Sequence, residues 1–188
     1  MPTLSITVLI SFIFFISEMT LMITMHSKKK TVVTRKDRGT MILLWVMICL
    51  SLTIGFNIAA RMPWTDISVI FAIAGYVVML IGFIIRWTAI IQLRKAFTVD
   101  VSFSEGQELK SDGLYKNIRH PSYLGLLSIL FGLSLGMGNI WSVLVVTIPM
   151  LFTINYRILV EEKLLMEEFG DAYSQYKSHT RRLIPGIY

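Results

Sequence analysis

The chain has 188 residues, of which 54% are hydrophobic and only 16% charged, and it carries a net charge of +6. A soluble domain has about a quarter of its residues charged, so this composition excludes an ordinary water-soluble globule. The mean hydropathy of +0.65, together with apolar blocks long enough to cross a bilayer, reads as an integral membrane protein. Basic residues flank those blocks, which is the placement that sets membrane orientation, so the positive balance does not point to nucleic acid.

The first span is expected from Leu4 to Met25. No Lys or Arg precedes its apolar run and no small-residue cleavage site follows, so it reads as a retained span and not a signal peptide. Glu18 interrupts it. An acid at membrane depth is a functional candidate by default; the plainer reading is that it faces other helices or the headgroups. Six Lys or Arg follow between Lys28 and Arg38. The second span is expected from Thr40 to Ala60 and holds the single cysteine, Cys49. One cysteine closes no intramolecular disulfide, and without a Cys/His cluster no metal is expected. In RMPWTD, Pro63 breaks the helix and Trp64 suits a membrane interface.

The third span starts near Ile67 and its apolar part ends near Leu93, with Arg86 expected to snorkel toward the headgroups. Residues 94–120 are the longest polar stretch and too mixed to span. Asp100, Glu105, Glu108 and Asp112 read there as a solvated loop. The fourth span begins at Pro121 or Ser122 and stops near Gly136; GMGN turns the chain; the fifth runs from Ile140 to Tyr156. Both are short, which predicts a tight helical hairpin. The glycines of FGLSLGMG lie in that hairpin and follow no strand, so they make no dinucleotide loop. From Arg157 onward, Leu164, Leu165, Phe169, Tyr173 and Tyr176 recur at helical spacing. That tail is expected along the membrane surface or folded over the helix ends.

Basic residues then sort by side. Six follow the first span, Arg61 alone follows the second, five lie in 94–120 and five from Arg157 onward. The positive-inside rule gives five spans, the N-terminus outside and the C-terminus cytoplasmic. The expected architecture is an all-α integral membrane protein in one domain over 1–188. Three N-terminal spans fill 1–93, and 94–188 holds the last hairpin and tail around a cytoplasmic pocket.

The polar groups that need explaining converge on that face. Arg119 and His120 open span four, and Arg157, Glu161 and Glu162 close span five. Arg157 and Glu161 share a helical face at a spacing of four. A plain Arg157–Glu161 ion pair would account for them structurally. The functional alternative is a pocket open to water on one side and lipid on the other. Glu161 would accept hydrogen bonds from a polar cofactor, and the planar fork of Arg157 would hold a carboxylate or phosphate.

The motif RHPSYLG, the R-x-x-x-E-E of Arg157–Glu162 and the ending EEFGDAYSQYKSHTRRLIP together resemble the isoprenylcysteine carboxyl methyltransferase family, to which phospholipid N-methyltransferases are related. The resemblance covers roughly residues 90–188. It implies a helical membrane enzyme that binds S-adenosylmethionine at the cytoplasmic face and methylates the carboxylate of a prenylated cysteine. By position, it implies cofactor contacts from Tyr115, His120, Pro121, Ser122, Tyr123 and Glu161, and a substrate contact from Arg157. Gln107, Glu108, Leu109 and Lys110 align with a further cofactor segment, although their residue types differ from the family's, and Asp100 sits near a position where the family uses Gln. Membrane lipids and a lipophilic small molecule or prenylated substrate are the implied partners. Two other enzyme readings stay open: a phospholipid amine methyltransferase, with Glu162 or His120 as base, and an NADPH-dependent membrane sterol-type reductase. A non-enzymatic scaffold is the third.

Overall fold

A computed structural model of the chain describes residues 2–24, 38–62, 68–93 and 109–184. It is helical throughout: α1 (Pro2–Thr24), α2 (Arg38–Arg61), α3 (Ser68–Leu93), a short 3-10 turn at Gly113–Lys116, α4 (Pro121–Gly136) and α5 (Ile140–His179). Among the described residues the only β pairing is an isolated bridge between Ile118 and Arg181. Four helices are long and apolar enough to cross a membrane, and α4 is a shorter apolar helix. Lipid offers the backbone no hydrogen-bond partners, so apolar blocks of this length close their own ladders as helices.

The packing separates two apolar surfaces. Phe14, Ile48, Leu126, Ile129, Leu133, Met150, Ile154 and Ile158 form a buried core. Leu9, Phe12, Ile16, Ile70, Ile84 and Phe152 are exposed, as a lipid-facing surface requires. α3 and α4 make the most extensive helix contact, followed by α2 with α5. Small residues permit the first: a Cβ at Gly125 would come within 2.7 Å of the Arg86 backbone nitrogen.

Polar ties mark the two ends of the bundle. At one end the Thr7 hydroxyl of α1 donates to the Gly136 carbonyl of α4 at 2.8 Å. The Asn139 side chain caps α5 and also donates to the Met62 carbonyl, while the Ser142 hydroxyl donates to the Gly55 carbonyl at 2.8 Å. At the other end lie the end of α1, the start of α2, the end of α3, the start of α4 and a point about 26 Å along α5. Alternating direction through five helices thus brings Glu18, Thr40, Arg86, His120 and Arg157 to one level.

Two expectations change. The fifth span and the helical tail are not separate elements: α5 runs 40 residues from Ile140 to His179, straight through Tyr156, and its break is at Gly170, with φ 49° and ψ −121°. The change from apolar to charged residues after Tyr156 marks a change of surroundings, not the end of a helix. Arg86 does not snorkel; it is 7% exposed and pairs with Glu18, which faces other helices.

Candidate functional site

The site is built where α4 begins. Pro121 occupies the first turn of α4, where its missing N–H is no loss, and His120 precedes it as the N-cap residue. Arg181 and Arg182, which follow α5, fasten this entry. The Arg119 N–H donates to the Arg181 carbonyl (2.8 Å), His120 N–H to the Arg182 carbonyl (3.0 Å), and Arg181 N–H to the Asn117 carbonyl (3.1 Å). On the other side, Gln92 at the end of α3 accepts from the Leu114 N–H at 2.8 Å.

Two carboxylates in succession on α5 divide the labour. Glu162 is locked: its Oε1 accepts from Arg119 Nε at 2.9 Å, and its Oε2 accepts from Arg182 Nη2 at 2.9 Å. Arg119 also donates to the Thr180 carbonyl at 2.5 Å, so this cluster pins the tail to α4 and α5. Glu161 keeps 24% of its side chain exposed, against 6% for Glu162. That difference leaves Glu161 as the carboxylate with a face open to a ligand.

Tyr123 joins Glu161 to Arg157. Its hydroxyl donates to Glu161 Oε2 at 2.7 Å and accepts from Arg157 Nε at 2.7 Å. The guanidinium carbon of Arg157 lies 5.9 Å from the centroid of the Tyr123 ring. Arg157 Nη1 donates to the Thr40 hydroxyl of α2 at 2.9 Å. The guanidinium is therefore aimed by two helices besides its own. His120 stacks on Tyr123 with centroids 5.7 Å apart, and its Nδ1 lies 3.8 Å from Glu161 Oε1. Its Nε2 is buried 3.5 Å from Glu162 Oε1 and forms no hydrogen bond among the described residues.

Of the residues expected from the sequence, His120, Tyr123, Arg157 and Glu161 meet in one place. Pro121 is buried beside them as the helix start. Ser122 is turned to α3, where its hydroxyl accepts from Arg86 Nη1 at 3.2 Å. Tyr115 lies one layer away: its hydroxyl donates to the Ala89 carbonyl at 3.4 Å, and its carbonyl accepts from the Tyr176 hydroxyl at 2.7 Å. Burial pushes the Tyr115 phenol well above its usual range, so it stays protonated. Leu109 and Lys110 lead into the Gly113 turn, with Lys110 Nζ 2.6 Å from Asp112. Gln107, Glu108, Glu105 and Asp100 lie outside the described residues.

Three features of the site were not read from the sequence. Thr40 looked like the plain start of a span. Arg182 and Thr180 looked like part of a basic tail. Glu18 and Arg86 were read one at a time, although each falls about 24–27 Å along its helix, a depth match that could have paired them.

Residues 70–172, which run from α3 to just past the Gly170 break, match the phospholipid methyltransferase family. The chain is 31% identical over 134 residues to the protein-S-isoprenylcysteine O-methyltransferase of Schizosaccharomyces pombe, covering 68% of this chain and 56% of that protein. It is 29% identical over 186 residues to protein-S-isoprenylcysteine O-methyltransferase A of Arabidopsis thaliana, covering 95% of this chain and 91% of that one. A solved eukaryotic intramembrane Ras methyltransferase, an isoprenylcysteine carboxyl methyltransferase, superimposes with a TM-score of 0.59 at 25% identity. It covers 79% of this chain and 51% of that chain. The chain thus spans little more than half the length of two of these three relatives.

Proposed function

The chain belongs to the phospholipid methyltransferase family, and on that premise we propose that it transfers a methyl group from S-adenosylmethionine to the carboxylate of a lipophilic, isoprenylcysteine-like acceptor at the cytoplasmic face of a membrane. The observation that carries this reading is the Tyr123 bridge. One hydroxyl fixes a guanidinium suited to a carboxylate and a half-open carboxylate suited to a polar cofactor, each at 2.7 Å.

The residues fit such a donor. It carries an ammonium and ribose hydroxyls, which Glu161 would accept. His120, stacked on Tyr123 with its Nδ1 3.8 Å from Glu161, would border the same cofactor. When bound, S-adenosylmethionine supplies an electrophilic methyl on a sulfonium. A carboxylate acceptor is already the nucleophile near neutral pH, so no general base is required. What remains for the protein is placement in a site shielded from water.

Arg157 performs that placement for the acceptor. Its geometry is set by Tyr123 at Nε and Thr40 at Nη1, so the plane of the guanidinium has a fixed direction. Tyr123 contributes twice, as the bridge and as an aromatic face beside cationic groups. Glu162 takes no part in binding on this reading. It holds Arg119 and the tail, and through them the N-cap His120. The exposed apolar faces of the helices let a greasy acceptor approach from lipid while the cofactor arrives from water.

An amine acceptor, as the family name suggests, would have to lose a proton, and His120 between two carboxylates is the group placed to take it. A panel of acceptors decides between the two. The full chain in nanodiscs, given methyl-labelled S-adenosylmethionine, should label N-acetyl-farnesylcysteine but not its carboxamide or phosphatidylethanolamine. Label in phosphatidylethanolamine alone would replace the carboxylate reading with the amine one.

A further inference from the structure

Beneath the site lies a charged pair that no step of the proposed reaction uses. Glu18 and Arg86 are 5% and 7% exposed. Arg86 Nε and Nη2 donate to the two carboxylate oxygens of Glu18 at 2.5 and 2.6 Å. The third arm of the guanidinium goes elsewhere. Nη1 donates to the carbonyl of Ser122 at 3.1 Å and to its hydroxyl at 3.2 Å. Ser122 stands between His120 and Tyr123 in the first turn of α4. Gly125, one turn on, lies against the Arg86 backbone, so this turn of α4 is seated directly on Arg86. A neighbouring bond from Trp87 Nε1 to the Ser17 hydroxyl, 3.0 Å, ties the same turns of α1 and α3.

A buried ion pair is a costly way to join two helices, and apolar side chains of like volume serve as well or better. What the pair adds here is a directed, charge-assisted donor on the backbone between the two site residues. On the methyl-transfer reading, we infer that Glu18 and Arg86 are positioning residues: Glu18 aims Arg86, and Arg86 fixes the first turn of α4 so that Tyr123 spans Arg157 and Glu161. α1 then serves the site as well as the membrane, although it lies outside the segment that matches the family.

The test separates gluing from aiming. Glu18→Leu with Arg86→Met keeps the volume, removes both charges and leaves neither one buried alone. In full-length protein in nanodiscs, this double variant should keep the parental thermal midpoint. Its kcat toward N-acetyl-farnesylcysteine should fall by at least about tenfold, with KM changed by less than about threefold, as misplacement without lost binding requires. A second readout does not depend on activity. Ring-labelled histidine NMR should show the His120 resonance displaced, while those of His26 and His179 stay in place. Parental kcat with an unmoved His120 resonance would overturn the inference. If the double variant fails to fold, Glu18→Asp, which keeps the charge and shortens the reach, takes its place under the same criteria. If the parent itself labels no acceptor, the methyl-transfer reading fails, and the His120 resonance alone decides whether the pair sets the geometry of α4.

Discussion

Arg157 is aimed by a phenol from α4 and a hydroxyl from α2, and its effect on turnover should follow from that aim. Arg157→Ala removes charge-assisted hydrogen bonds to a carboxylate, worth about 1.5–3 kcal/mol. The KM for a carboxylate acceptor should therefore rise by about 10–100-fold, with S-adenosylhomocysteine affinity within about twofold. Tyr123→Phe keeps the ring and deletes the bridge. It should lower kcat more than it raises KM, because both partners remain but lose their common anchor. Steady-state kinetics on the two variants distinguish these outcomes, and identical profiles would show that Tyr123 does not couple the two groups. The sequence carried much of this scale. His120, Tyr123, Arg157 and Glu161 were legible because chemistry-bearing residues are rare at membrane depth and stand out there. Thr40 was not legible, because a threonine at a helix start has ordinary capping and turn roles, and only tertiary contact gives it another.

At the level of elements, the tail is the part most sensitive to one residue. Gly170 adopts φ 49° and ψ −121°, a conformation open to glycine and strained for L side chains, and a Cβ there would touch nothing within 4 Å. Gly170→Ala is therefore a backbone test free of any clash. It should cost about 1–3 kcal/mol and loosen the downstream contacts, Tyr176 with Tyr115, Thr180 with Arg119 and Arg182 with Glu162. Limited proteolysis should then cut faster near Thr180; an unchanged cutting rate would mean that the bend does not hold the tail in place. Apolar block lengths made the first three spans and the fourth readable from sequence, with bounds close to those of the helices. The helical spacing beyond Arg157 was readable too, but its continuity with the fifth span was not, because hydropathy reports solvent and not secondary structure. Arg157, Glu161, Lys163 and Leu165 all favour helix, so nothing local ends it until Gly170.

For the molecule as a whole, five alternating helices place every site residue at one end of the bundle. α1 and α3 both end there and the described part of the tail closes on it, and on the proposed orientation, read from where the basic residues fall in the sequence, that end is the cytoplasmic one. Lys116→Cys, at an exposed position on the 3-10 turn, should react with a membrane-impermeant thiol reagent only from the cytoplasmic side. Cys49 is exposed on the lipid-facing surface partway along α2 and should stay silent. Labelling from outside would invert the topology and separate the site from its water-borne cofactor. The fold class was thus visible in block lengths, and the convergence of His120, Arg157 and Glu161 in their places at the span ends. The ion pair beneath the site was not, because pairing depends on how α1 and α3 rotate toward one another, which composition does not encode.

The central claim is that Glu161, held by Tyr123 beside Arg157, is the anchor of an S-adenosylmethionine site. Calorimetric titration of the full chain in nanodiscs with S-adenosylhomocysteine, and separately with NADPH, tests it most directly. Saturable binding of S-adenosylhomocysteine, weakened by about tenfold or more in Glu161→Ala, and no binding of NADPH are expected. Binding of NADPH with none of S-adenosylhomocysteine, or equal affinity in the parent and Glu161→Ala, would contradict it.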